Sequence, residues 1–226
     1  LFGLEDRVKR NVIFIDENTV VFPCGHSVVI YNVENKSQEF LHSAPGVNKI
    51  TALAVSNNKK YLAVAELAEY ATISIYDIEK RRKKRELKQP SVDGTPGVEI
   101  VALDFSQDGK ILLAQGGAPM WTCVLWAWEK NKPVSQVNVH NESNKTVTKA
   151  SFHPLDHTLV CCSGDGILRF FRIVDNLFKA LPSSIGKHEP QNFLSHAFLR
   201  DKDELLIAST DKGEIILFEN NDWKMA

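Results

Sequence analysis

The chain has 226 residues, 43% hydrophobic and 24% charged, and its 27 Lys and Arg nearly cancel its 28 Asp and Glu to leave a net charge of −1. This is the composition of an ordinary globular protein long enough to bury a core, and a charge so close to zero disfavours a general nucleic-acid binder. No apolar run approaches the roughly 18 residues of a membrane span and no signal-peptide pattern opens the chain, which predicts a soluble, intracellular protein.

The first predicted unit covers residues 11–41. Two apolar strands flank a polar turn in VIFIDENTVVFP from Val12, and a third, SVVIY from Ser27, ends on Tyr31. The same order returns over 50–88, where TISIY ends on Tyr76, and over 100–139, where TCVLW ends on Trp126. It returns again over 148–182, where ILRFF ends on Phe171, and over 193–226, where EIILF ends on Phe218. The five aromatics are 45, 50, 45 and 47 residues apart, and aligning Phe14, Val55, Phe105, Phe152 and Phe198 brings the remaining strands into register.

Each unit reads as four strands joined by hairpins. Asn57-Asn58, Gln107-Asp108-Gly109 and Asp201-Lys202-Asp203 supply residues that hydrogen-bond locally or accept positive φ, as tight hairpins require. In the third strand of the second unit Thr72, Ser74 and Tyr76 point one way and Ile73, Ile75 and Asp77 the other, so both faces are equipped for packing. The fourth strands, KKREL from Lys83 and PVSQVNV from Pro133, are more polar, as suits an outer edge. A repeat of about 40–45 residues with four strands is the mark of a WD40-type β-propeller blade. The fold expected is therefore all-β, with five blades visible. Because such propellers usually have seven blades, the arc is expected to be open or to be completed by further residues. The chain starts at Leu1 without Met and stops at Trp223-Lys224-Met225-Ala226, where a fourth strand is due, which predicts a piece of a longer protein.

The WD40 signature is degenerate. Its Trp-Asp pair appears as Tyr76-Asp77, then as Tyr31-Asn32, Trp126-Ala127, Phe171-Arg172 and Phe218-Glu219, and the Gly-His pair is missing. Two units keep a turn before the third strand, Ser163-Gly164-Asp165-Gly166 and Ser209-Thr210-Asp211-Lys212-Gly213, where the Asp is expected to accept local backbone hydrogen bonds. Cys24, Cys161 and Cys162 lie in or beside second strands and Cys123 in a third, without CxxC spacing, so they read as reduced packing thiols rather than a disulfide or zinc site.

The segments Asn11–Glu17, Val21-Phe22-Pro23, Ile30–Val33, Trp126–Lys130 and Glu189–His196 carry a closer resemblance. With them the chain resembles the amino-terminal propeller of cilia- and flagella-associated WD-repeat proteins of the axoneme, from Phe2 to Glu219. The resemblance implies a non-catalytic adaptor that helps place inner dynein arms on doublet microtubules, with axonemal proteins, dynein-arm complexes and tubulin as partners. The alternative is a cytosolic adaptor of another assembly, such as a ribonucleoprotein or a ubiquitin-ligase substrate receptor.

Three features are candidates for partner contact. The first is the basic run Lys80, Arg81, Arg82, Lys83, Lys84 and Arg85 between the third and fourth strands of the second blade, which reads first as a solvated, charged edge that repels strand addition, next as a contact for tubulin or another acidic protein surface, and last as a nuclear-import or nucleic-acid segment. The second is Met120-Trp121 on a proline-stiffened loop, where an exposed Trp would anchor a partner and a buried one would fold over the blade edge. The third is Glu189–His196, in which Phe193 and Leu194 read as core, His196 as a buried, hydrogen-bonded histidine, and Pro190 as shaping the approach to the strand. Trp126 and Trp128 read as core residues on one face. His153 and His157 bracket a hairpin read as solvated rather than metal-binding. No G-x-S-x-G or phosphate loop occurs, and Gly116-Gly117-Ala118-Pro119 is not one. The sequence displays no convergent polar groups for the central channel, so no active site, cofactor, metal, membrane contact or homo-oligomer is predicted.

Overall fold

The computed structural model describes residues 3–43, 49–140, 145–182, 189, 191–199, 205–220 and 222–225. These form five antiparallel four-stranded sheets, each built from consecutive strands in simple meander order. The first contains β1 (Ile13–Phe14), β2 (Thr19–Cys24), β3 (Ser27–Asn32) and β4 (Ser37–His42), and the second β5 (Lys49–Val55), β6 (Tyr61–Leu67), β7 (Thr72–Asp77) and β8 (Arg82–Lys88). In the third are β9 (Ile100–Phe105), β10 (Leu112–Gly116), β11 (Thr122–Ala127) and β12 (Lys132–Asn138), with a single 3₁₀ turn at Trp128–Lys130. The fourth is made of β13 (Val147–Phe152), β14 (Leu159–Gly164), β15 (Ile167–Val174) and β16 (Leu177–Ala180), and the fifth of β17 (Phe193–Phe198), β18 (Leu205–Thr210), β19 (Ile215–Glu219) and β20 (Asp222–Met225). The fold is a WD40-type β-propeller segment of five blades. A fourth strand does complete the last blade, because the turn at Asn220 takes a left-handed φ of 51° and sends the chain back along β19.

One row of side chains repeats across every blade. The residue ending the first strand pairs with an aliphatic residue of the second, which pairs in turn with the third-strand aromatic. The rows are Phe14–Val20–Tyr31, Val55–Leu62–Tyr76, Phe105–Leu112–Trp126, Phe152–Val160–Phe171 and Phe198–Leu206–Phe218. In blades 2 to 5 this row packs on the preceding blade: Leu62 and Tyr76 join Val21, Val28 and Ile30; Trp126 joins Ile73 and Ile75; Phe171 joins Cys123 and Leu125; and Phe218 joins Leu168 and Phe170. The equivalent row of blade 1 has Phe14 57% exposed, while Val20, Phe22 and Val29 form a small cluster of their own.

First strands touch first strands (β5 with β9, β9 with β13, β13 with β17), which places them innermost. Fourth strands are the most exposed, so burial falls from the middle of each blade to its outer rim. Trp126 and Trp128 share the core between blades 2 and 3, as their alternation predicts. Leu194, expected in the core, is 43% exposed, because an irregularity in the β17–β18 pairing between Phe193 and Ser195 leaves it facing out. Pro190 and the Asp201-Lys202-Asp203 turn lie outside the described residues. Among the described residues no helix is long and apolar enough to cross a membrane.

Candidate partner-binding surface

The basic run is divided between a turn and a strand. Lys80 and Arg81 lie in the turn after β7, and Arg82–Arg85 already belong to β8, so the run is not a free loop. The turn forms because Lys80 N–H donates to Asp77 Oδ1 at 2.9 Å and Arg81 takes φ 52°. Lys36, Asn131 and Asn176, each five positions after its blade's aromatic, take the same left-handed conformation.

Four of the six cations are engaged. Arg81 Nε donates to Glu39 Oε2 of blade 1 at 2.7 Å, and its guanidinium also reaches the Ile78 carbonyl. Lys83 pairs with Glu86 at 2.6 Å in its own strand. Lys84 Nζ donates to the Tyr61 hydroxyl at 2.8 Å, which raises its pKa, and lies 4.4 Å from the Tyr61 ring and 5.2 Å from that of Trp128, with Glu129 at 3.5 Å. Arg85 Nε donates to the Glu129 carbonyl at 3.1 Å. The run therefore stitches blade 2 to blades 1 and 3 at the rim. Such exposed pairs each contribute about 0–1 kcal/mol. Lys80 and Arg82 make no ion pair among the described residues.

Sequence reading missed the neighbouring cations Lys110, Lys130 and Lys132. They border a depression between blades 3 and 4 together with Ile111, Ala127, Val134 and Glu129. The signal was present: with the 50-residue offset from Tyr76 to Trp126, Lys130 and Lys132 are the counterparts of Lys80 and Arg82.

The second candidate is corrected in part. Trp121 is only 8% exposed and packs in the core between blades 3 and 4, its ring 5.9 Å from that of His140, so it is not an exposed anchor. Its φ of 48° and the bond from its N–H to the Gly117 carbonyl turn the side chain inward. Met120 stays half-buried beside Pro90, Pro96 and Pro119.

A third locus is the central cavity of about 940 Å³, where polar groups converge that the sequence reading did not expect. Arg10, from the segment before β1, approaches Asp104 of blade 3 at 3.8 Å, and Asp104 also accepts from the Phe152 N–H of blade 4 at 2.9 Å. Burial pushes the Asp104 carboxyl up to about 6, with Arg10 pulling the other way. Lys149 donates to the His196 carbonyl and to Ser195 Oγ, while the His196 ring bonds Ser151 Oγ at 2.8 Å and Ser163 Oγ at 2.6 Å. A Ser–His pair of this length is what nucleophilic catalysis uses. Here the third partner is a hydroxyl rather than a carboxylate, and burial, Lys149 and Arg10 all hold the imidazole well below its ordinary pKa. An imidazolium would be penalised, which opposes general-base action; the network instead clasps blade 4 to blade 5 by satisfying three buried polar groups.

His153 is another correction. It is 1% exposed rather than solvated, and its Nδ1 accepts the Leu155 and Asp156 N–H groups at 3.2 and 3.0 Å. It occupies the turn position held in blades 2 and 3 by Ser56 and Ser106, whose hydroxyls accept from Tyr61 and Ile111 N–H, each at 3.0 Å. His157 is exposed. Among the described residues no three His, Cys, Asp or Glu are placed to hold a metal ion.

The family model of the WD domain, G-beta repeat, matches residues 131–172, which run from the turn before β12 of blade 3 into β15 of blade 4. The matched unit thus straddles two blades, taking the outer strand from one and three strands from the next. Along 98% of its length the chain is 31% identical to cilia- and flagella-associated protein 57 of Mus musculus, of which it spans 17%. It is 26% identical over 97% of its length to cilia- and flagella-associated protein 57 A of Tetrahymena thermophila, spanning 21% of it, and 25% identical over 97% to cilia- and flagella-associated protein 44 of Mus musculus, spanning 12%. The repeat match, the five blades and these relatives agree: the chain is a WD-repeat β-propeller segment akin to those of the cilia- and flagella-associated proteins.

Proposed function

We propose that this chain is a non-catalytic part of a scaffold of the ciliary or flagellar axoneme and helps to place inner dynein arms on doublet microtubules. The observation that carries the reading is likeness along nearly the whole chain to several proteins whose names associate them with cilia and flagella. The blade stacking supports it, since side chains interlocked across each successive interface hold the rim and its loops in fixed relative positions, and a rigid array of loops suits an adaptor that presents a composite surface. The test is to express the full-length protein with a fluorescent tag in a ciliated cell and extract the membrane with detergent. Signal retained along the axoneme is expected; a nuclear or diffuse cytosolic signal would sink the scaffold reading. Isolated axonemes from cells lacking the protein are expected to carry less inner-arm dynein, and unchanged dynein content would remove the placement role.

A further inference from the structure

The depression between blades 3 and 4 has a volume of about 560 Å³ and opens at the outer rim. Its floor is aliphatic, from Ile111 in the turn just before β10, Ala127 at the end of β11 and Val134 in β12. Its border is cationic, from Lys110, Lys130 and Lys132. Lys110 is 78% exposed and pairs with Asp108 at 3.4 Å. Lys130 and Lys132 are exposed and make no ion pair among the described residues. Glu129, the one carboxylate on the border, is already engaged by Lys84 from blade 2. That contact joins the groove to strand β8 of the neighbouring blade.

We propose that this groove docks an acidic peptide segment, one apolar side chain seated on Ile111, Ala127 and Val134 and flanking carboxylates held by Lys130 and Lys132. Charge complementarity selects the sign of the partner, and exposed lysines steer its approach. The floor selects its class. A recessed aliphatic floor suits a Leu or Val side chain, whereas single-stranded nucleic acid takes stacking platforms of aromatic rings, and none borders this groove. A membrane surface calls for protruding apolar groups, and this floor is sunk between lysines. The proposal rests on the scaffold reading only in supplying that scaffold with a partner surface.

The test is fluorescence anisotropy of a short fluorescein-labelled glutamate-rich peptide carrying one leucine, titrated with the full-length protein. Replacing Lys130 and Lys132 together by Ala is expected to weaken binding about tenfold at low salt, from two exposed charge contacts of about 0.7 kcal/mol each. The loss should shrink near physiological ionic strength, where such charges are screened over about 8 Å. Replacing the leucine of the peptide by Ser is expected to weaken binding at both salt concentrations. Unchanged affinity in the lysine variant overturns the site. Tighter binding of a single-stranded RNA or of anionic phosphatidylserine vesicles, lost in the same variant, overturns the partner class. Because the readout is binding in vitro, a protein that binds the peptide yet leaves the axoneme on extraction refutes the location and not the groove.

Discussion

Phe171 and Tyr31 occupy the same place in the repeated row, and among the described residues one packs against a preceding blade and the other does not, so truncating each in this 226-residue chain separates the contribution of the blade interface from that of the sheet. Phe171 is 1% exposed, paired with Val160 and packed edge-on against Phe178 at 5.6 Å. A buried Phe removes about 200 Å² from water, or about 5 kcal/mol at roughly 25 cal/mol per Å². Ala retains about 1 kcal/mol of that, so Phe171→Ala is expected to cost about 4 kcal/mol, within the range of about 3–5 for such truncations. Tyr31 is half-buried in the small cluster on the outer face of blade 1, and Tyr31→Ala is expected to cost about 1–2 kcal/mol. Urea unfolding followed by far-UV circular dichroism measures both. With a slope of roughly 3 kcal/mol per M, the midpoint should fall by about 1.3 M for Phe171→Ala and by no more than about 0.7 M for Tyr31→Ala. Equal losses for the two variants would refute the view that the row draws its stabilisation from the blade before it.

Asp104 makes stability depend on pH. Its folded value of about 6 lies above the ordinary 3.8, so the folded chain holds the proton more tightly, and the contribution is fully present below about pH 4 and lost as pH rises through about 6. Asp104→Asn is expected to flatten the thermal-melting profile between those values and to add on the order of 2 kcal/mol at pH 7; a variant with an equally steep profile would show that another group titrates there. Gly164→Ala places a Cβ 1.9 Å from the Thr146 carbonyl oxygen and 2.8 Å from its carbon, both backbone atoms, and is expected to cost about 3 kcal/mol. Gly213→Ala meets nothing within 4 Å and is penalised only by its φ of 81°, for about 1 kcal/mol. A Gly213 variant melting below the Gly164 variant would reverse the assignment of close approach and backbone conformation.

Much of the architecture was legible because period and alternation are properties of the chain itself. Blade spacing, strand order, the Phe14-to-Phe198 alignment and the inward Trp126 and Trp128 follow from residues a strand or a hairpin apart. The Gln107-Asp108-Gly109 turn was equally readable, with Gly109 at positive φ; in the Asn57-Asn58 turn Asn58 hydrogen-bonds locally to Ser56 and Lys60 as expected, but the positive φ falls on Lys59. Other features needed the folded chain, through a contact between blades in one case and a local one in the other. Trp121 borders an exposed loop in sequence, and only blade 4 buries it. His153 and His157 look alike four residues apart, yet the ring of one is buried and accepts the Leu155 and Asp156 N–H groups while the other faces water.

The candidate surface divides in the same way. Six consecutive cations are plain in the sequence, but whether a lysine is free to meet a partner depends on what stands opposite it, and Glu39 and Glu129 come from other blades, more than 40 residues away. The same holds for the centre, where Asp104, Lys149 and His196 meet because first strands of successive blades lie side by side and Arg10 reaches them from the segment before β1. By itself the sequence determined the five blades within this chain, which strand lies where in each, and which faces are apolar, since these need only the local repeat of side chains at period two. The tertiary structure decided which charges are spent between blades and which stay open, because that depends on distances between segments that sequence spacing does not set.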